Sequence, residues 1–216
     1  MKHMRYQIYY ALLPWVIVLS SCTTAATPTP EIPTLAAATK NAPELVGTKQ
    51  YDAAPPMIID TNKQYLATVK MENGGEFVVE LYPDKAPLTV NSFVFLANQG
   101  YFEGVSFHRV LDGFMAQGGD PTGTGTGGPG YMFKNENSDL KFDKPGVVAM
   151  ANAGPDTNGS QFFITYGPQD YLDGGYTIFG QVISGMDVVN SLTRRDPQSN
   201  PSFTGDLIDS VTISEK

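Results

Sequence analysis

The sequence predicts a mostly β domain in which short antiparallel strands close into a barrel. Three observations point there. The 216 residues include 22 glycines, and 41% are hydrophobic, which suits a loop-rich packed domain rather than a disordered chain. Asn73-Gly74-Gly75 separates two strand-like runs and is a strong hairpin signal. Further short apolar runs then follow one another between Gly, Asn and Asp turns, and closure removes the edges such strands would expose.

Residues 1–21 read as a signal peptide, with Lys2 and Arg5 ahead of an apolar run from Ile8 to Leu19 that Pro14 interrupts. That run is below the roughly 18–20 apolar residues a membrane span needs. Leu19-Ser20-Ser21-Cys22 matches a bacterial lipobox, so Cys22 is expected to carry lipid and hold the protein on the extracytoplasmic face of a bacterial cell membrane. The alternative is an incidental cysteine beside an ordinary cleavage site. Residues 22–60 are rich in Thr, Ala and Pro and read as a partly extended tether, leaving 61–216 as the folded domain. Ile32, Leu35, Leu45 and Val46 are the tether residues able to dock on it.

Within the domain, 65–72 and 76–82 are the hairpin strands. Pro87 starts a helix, where its missing N–H costs nothing, and Gly100 ends it; Val90, Phe93, Val94 and Ala97 recur on its core face. Strands are expected near 105–111, 131–134, 146–151, 161–165 and 176–183. A second helix follows near 186–192, and 206–214 is the last strand.

Charge and composition narrow the function. Lys2 and Arg5 are the only charged side chains of the first 21 residues apart from His3; they contribute +2 to a net charge of −8, so the remainder carries −10. Such a surface repels phosphate backbones, and no basic run argues for a nucleic-acid partner. One cysteine excludes an internal disulfide, and with two histidines it makes no zinc site of ordinary spacing. No metal or cofactor is expected. Gly123-Thr124-Gly125-Thr126-Gly127-Gly128 fits G-x-G-x-x-G, but Asp120-Pro121 before it and Pro129-Gly130 after it leave no helix to receive a pyrophosphate, so it reads as a flexible surface loop. Asn158-Gly159-Ser160 fits a glycosylation acceptor with no expected use, and Ser160 has no base.

The chemistry-bearing stretch is Phe107-His108-Arg109-Val110-Leu111-Asp112-Gly113-Phe114-Met115-Ala116-Gln117-Gly118-Gly119-Asp120. Alternation along a strand puts Arg109 beside a pocket floored by Phe114 and Met115, with His108 on the opposite face in a structural role. Taken singly, Arg109 could be a surface ion-pair partner, the apolar residues core, and Gln117 and Asn152 supports for loop backbone.

Together with Gly125-Thr126-Gly127-Gly128, Met150-Ala151-Asn152-Ala153-Gly154, Ser160-Gln161-Phe162-Phe163-Ile164 and Tyr171-Leu172-Asp173-Gly174, this stretch resembles the cyclophilins, the peptidyl-prolyl isomerases, from about residue 65 to 214. The resemblance implies an eight-stranded antiparallel barrel capped by two α-helices. It also implies a proline-ring pocket of Phe114, Met115, Phe163 and Leu172, with Arg109 donating to the twisting amide and Gln117 supporting it. Ala151 and Asn152 would bind substrate backbone, while Phe162, alternating with Phe163, belongs to the core. Tyr171 and Tyr176 stand where the best-known eukaryotic members have tryptophan and histidine; both keep an aromatic wall, and loss of the indole N–H implies weaker inhibition by cyclosporin.

The expected function is therefore isomerisation of X–Pro bonds in secreted or envelope proteins by a monomer. Its rival is a cyclophilin-like module that binds proline-containing segments with little catalysis.

Overall fold

Tyr65–Met71 (β3) and Glu76–Leu81 (β4) bury every second side chain, so one face of their hairpin turns inward and the other stays wet. They belong to a computed structural model that describes residues 45–47 and 49–216. Lys2, Arg5, Cys22, Ile32 and Leu35, on which the signal, lipidation and part of the tether reading rest, lie outside the described residues, as do the side chains of Leu45 and Val46.

A short pair, Leu45–Gly47 (β1) and Gln50–Tyr51 (β2), precedes the main sheet. After β4 come α1 (Pro87–Asn98), β5 (Arg109–Leu111), β6 (Met115–Gly118), β7 (Val147–Met150), β8 (Phe162–Thr165), β9 (Ile178–Ser184), α2 (Met186–Ser191) and β10 (Ile208–Glu215). The eight-stranded sheet runs β10-β3-β4-β9-β7-β8-β6-β5, with every neighbouring pair antiparallel.

The expected closed barrel is corrected to a curled half-barrel that stays open. The end strands β10 and β5 do not pair with each other as strands; only isolated bridges, Ser106 to Leu207 and Val110 to Arg195, occur along that side. The cause is local. β5 has three residues, and its outer edge meets an irregular segment in which Gly205 (φ +103°) lies so close to Phe107 that a Cβ would stand 2.3 Å from the Phe107 carbonyl oxygen.

Two strand boundaries also differ from expectation. Residues 131–134 form no strand, because Tyr131 turns its hydroxyl to Ser92 on α1 and Phe133 makes only an isolated bridge with Asn158. Residues 115–118 do form one, because Asp112-Gly113, with Gly113 at φ +65°, is a tight turn returning β5 onto β6.

α1 has no side-chain cap of its own, and Ala86 precedes its Pro87. The loop supplies the missing acceptor: Glu136 receives the Leu88 N–H at 2.9 Å and the Thr89 N–H and hydroxyl at 2.8 Å each. The expected core residues Val90, Phe93, Val94 and Ala97 are buried, as are Phe95 and Leu96.

Packing reaches N-terminal of residue 61, into the span read from sequence as tether. Tyr51 and Ile59 are buried, and the Tyr51 ring meets Phe95 edge-on at 5.1 Å. Asn91 on α1 accepts the Ile58 N–H and donates to the carbonyls of Pro55 and Pro56.

Strand alternation gives the sheet two apolar faces. Val110, Ala116, Val148, Phe162 and Ile164 join α1 in the main core. Met115, Ala149, Phe163 and Ile178 face the other way and pack with Phe142, Val147 and Leu172 in a second cluster.

Candidate active site

The second face is where the chemistry-bearing side chains meet. Register explains much of it: Arg109 pairs with Gln117, Gln117 with Phe163, and Phe163 with Ala149, so four strands contribute to one row. One row along, Leu111 pairs with Met115. A cleft of about 140 Å³ opens there, lined by Arg109, Phe114, Met115, Gln117, Ala151, Asn152, Phe163, Leu172 and Tyr176. An apolar cavity of roughly 150 Å³ holds a benzene-sized ring, so a pyrrolidine is a fitting guest.

Met115, Phe163 and Leu172 form the buried floor. Phe142 stacks on Phe163 at 5.8 Å, and Tyr176 meets it edge-on at 5.5 Å. A 3-10 turn, Asp170–Leu172, sends Leu172 into the floor and leaves Tyr171 72% exposed. Tyr171 is thus the one expected pocket residue that does not line the cleft; it stands at the rim, 6.2 Å from the Phe114 ring.

Arg109 is half-buried, its guanidinium 5.7 Å from the centre of the Phe114 ring, and it makes no ion pair among the described residues. Its Nη1 donates to Gln117 Oε1 over a long 3.4 Å. Gln117 Nε2 donates in turn to Gln161 Oε1 at 2.9 Å, and Gln161 Nε2 to the Gly127 carbonyl at 2.9 Å. Gln161 stands in one of the sequence motifs but is assigned no role there. Its position two before Phe163, hence on the same side of the chain, is the signal that could have found it.

Asn152 lines the cleft, but its side chain is already engaged: Nδ2 donates to Gly175 O at 3.3 Å and Oδ1 accepts from Gly154 N at 3.2 Å. The Ala151 N–H is spent on Gln161 O. These two therefore offer a substrate chiefly their remaining main-chain groups.

The glycine-rich loop, expected as a flexible surface loop, is tied to the domain by hydrogen bonds. It wraps the buried Asp120, whose Oδ1 accepts from the Thr122 N–H and hydroxyl and whose Oδ2 accepts from the N–H groups of Gly125 and Gly127. Burial pushes this carboxyl up, but the donors outweigh it and hold it below the usual carboxylate range. The anion in this cradle is the chain's own.

His108 lies under the same loop, its ring 3.6 Å from where a Gly125 Cβ would stand, and it is 2% exposed. Asn158 is fully buried, and the Ser160 hydroxyl donates to Gly119 O at 2.6 Å, so neither is presented to a modifying enzyme or a substrate.

Comparison with known proteins settles the ancestry of this arrangement. Residues 66–214 match the family described as cyclophilin type peptidyl-prolyl cis-trans isomerase. The chain belongs to the cyclophilins.

This cyclophilin is 51% identical over 142 residues to human peptidyl-prolyl cis-trans isomerase-like 1, covering 64% of this chain and 83% of the relative. It is 48% identical over 127 residues to Bacillus subtilis peptidyl-prolyl cis-trans isomerase B, covering 58% and 89%. Among solved structures, a cyclophilin-type isomerase from Cryptosporidium parvum superposes with a TM-score of 0.63 at 34% identity, over 71% of this chain and 99% of that one. The same parasite protein has been solved in the presence of the dipeptide Ala-Pro. The enzyme class follows: this cyclophilin is a peptidyl-prolyl cis-trans isomerase.

Proposed function

We propose that this cyclophilin accelerates rotation about X–Pro bonds of secreted or envelope polypeptides by a non-covalent mechanism centred on Arg109. The observation that carries this is a cation with no ion-pair partner among the described residues, lining a ring-sized cleft with an apolar floor.

Rotation must break amide resonance, with a barrier of about 20 kcal/mol, and needs no nucleophile. The catalyst has only to bind the twisted amide better than either planar form. The floor of Met115, Phe163 and Leu172 grips the proline ring while the preceding carbonyl turns. As the bond twists, the prolyl nitrogen regains its lone pair, and the Arg109 guanidinium donates to the reacting amide. A charge-assisted hydrogen bond of about 1.5–3 kcal/mol corresponds to roughly one to two decades of rate. Gln117 holds the guanidinium on its cleft side, and Tyr176 closes the apolar wall.

The lipobox ending at Cys22 supports anchoring on the extracytoplasmic side of a bacterial membrane, where slow prolyl steps leave exported chains open to aggregation. The partner is then a proline-containing polypeptide met by a monomer on a tether.

A protease-coupled proline-peptide assay comparing wild type with Arg109→Ala tests the mechanism, with a loss of one to two decades expected in kcat/KM. Equal catalysed rates would overturn the role of Arg109, and rates at the uncatalysed level in both proteins would favour a binding module. Incorporation of labelled palmitate into wild type and not into Cys22→Ala tests the anchor.

A further inference from the structure

We infer that Arg195 is a positioning residue for the reaction, clamping the short strand that carries Arg109. This rests on the reading that Arg109 is the donor to the twisting amide.

β5 is the terminal strand of an open sheet and has only three residues, so β6 alone supports it from within the sheet. Arg109 itself pairs inward, with Gln117. The residues on either side of it are held from outside by Arg195. The Val110 N–H donates to Arg195 O at 2.7 Å, and the Arg195 N–H to Val110 O at 2.9 Å. The Arg195 side chain then reaches past Arg109: Nη1 donates to the His108 carbonyl, while Nε donates to Phe203 O at 2.8 Å. Its guanidinium carbon lies 5.9 Å from the Phe203 ring centre.

The residue therefore binds the chain immediately before and immediately after the catalytic arginine. It makes no ion pair among the described residues, so its charge serves these carbonyls rather than a surface carboxylate. A planar fork holds two carbonyls on different segments in one fixed geometry, which a flexible ammonium does not pre-organise.

This arrangement answers a specific problem. An edge strand frays readily, and a donor displaced by even an ångström loses much of its value in the transition state. The remaining contacts of the segment reinforce the clamp: the Phe107 N–H donates to Asp206 O at 2.9 Å, and Asp206 Oδ2 accepts the Thr193 N–H at 2.6 Å. Because the two main-chain bonds of Arg195 involve no side-chain atom, Arg195→Gln and Arg195→Lys leave both donors and acceptors in place and probe the fork.

The test uses the full-length protein, with kcat and KM measured separately on a proline peptide and unfolding midpoints recorded alongside. Arg195→Gln should lower kcat about three- to tenfold with KM within about twofold, because a misplaced Arg109 weakens a donation made only in the transition state. Arg195→Lys should recover part of that loss. In an Arg109→Ala background, Arg195→Gln should add nothing, because there is no guanidinium left to position. Wild-type kcat in Arg195→Gln, or the same fold-loss in both backgrounds, would overturn the assignment while leaving Arg109 in place. Full activity in Arg109→Ala alone would overturn both readings.

Discussion

Asn91, buried in the middle of α1, accepts the Ile58 N–H on its Oδ1 at 2.7 Å. Its Nδ2 donates to the carbonyls of Pro55 and Pro56, so one amide binds the incoming chain on both donor and acceptor sides. Tyr51 and Ile59 are buried on either side of that contact, and the Tyr51 N–H donates to Pro129 O at 2.7 Å. The segment 49–60 is thus part of the packed domain.

A protein beginning at Thr61 should therefore be less stable than one beginning at Leu45. Burying two side chains of this size is worth about 1.5–3 kcal/mol each. In a domain of this length a loss of about 3 kcal/mol lowers Tm by roughly 6–12 °C. Calorimetry of the two proteins measures it. Since none of these residues lines the cleft, isomerase activity well below Tm should survive the truncation. Equal midpoints would show that the contact contributes nothing.

The exposed Tyr171 sets a second expectation. It stands at the rim beside Phe114 and carries no indole N–H. Cyclosporin should consequently inhibit more weakly than it does tryptophan-bearing cyclophilins, and Tyr171→Trp should tighten inhibition by roughly two- to tenfold, the value of one recovered hydrogen bond. An inhibition titration in which wild type already binds tightly, and Tyr171→Trp no better, defeats the idea.

Gln161 offers a third test. It links Gln117 to the Gly127 carbonyl, and Gln117 in turn faces Arg109. Replacing Gln161 with Leu removes the relay without touching the pocket floor. A drop of about two- to tenfold in kcat/KM is expected, one neutral hydrogen bond acting through Gln117. Unchanged kinetics would mean that Gln117 holds its orientation by packing alone.

What could be read from the chain divides along physical lines. Period-two alternation separates Phe162 from Phe163 and Val110 from Arg109, and the structure puts the members of each pair on opposite faces. The Phe107–Asp120 stretch likewise names side chains that do converge, because a three-residue strand, an Asp-Gly turn and a returning strand place them by local geometry. Contacts distant in sequence that no motif marks were not legible. Glu136 capping α1, Arg195 gripping β5 and Phe142 beneath Phe163 join residues with no periodic or motif signal between them. Closure failed as an expectation for the same reason: whether β10 meets β5 depends on the path of 193–207, where Gly205 must approach the Phe107 carbonyl. The Tyr171 side chain left the pocket because a 3-10 turn, unlike a strand, points adjacent residues apart by an angle that spacing does not specify.

His108 supplies the last prediction. It is 2% exposed, and neither ring nitrogen makes a hydrogen bond of good geometry among the described residues. Burial is the main cause that lowers its pKa, and Arg195 and Arg109 add to it; Asp120 and the Ser106 backbone oppose. A histidine with a folded pKa below its unfolded value near 6.5 binds its proton more readily in the unfolded chain. Stability therefore falls as pH drops through about 6.5 toward the lower folded value, and levels off beneath it. Asp120 acts in a more acidic window, since its depressed carboxyl gives up stability only on protonation. Between pH 7.5 and 5 the wild-type Tm should fall with acidification, and His108→Phe, which cannot take the proton, should flatten that slope. Parallel Tm curves for the two proteins would assign the acid sensitivity elsewhere.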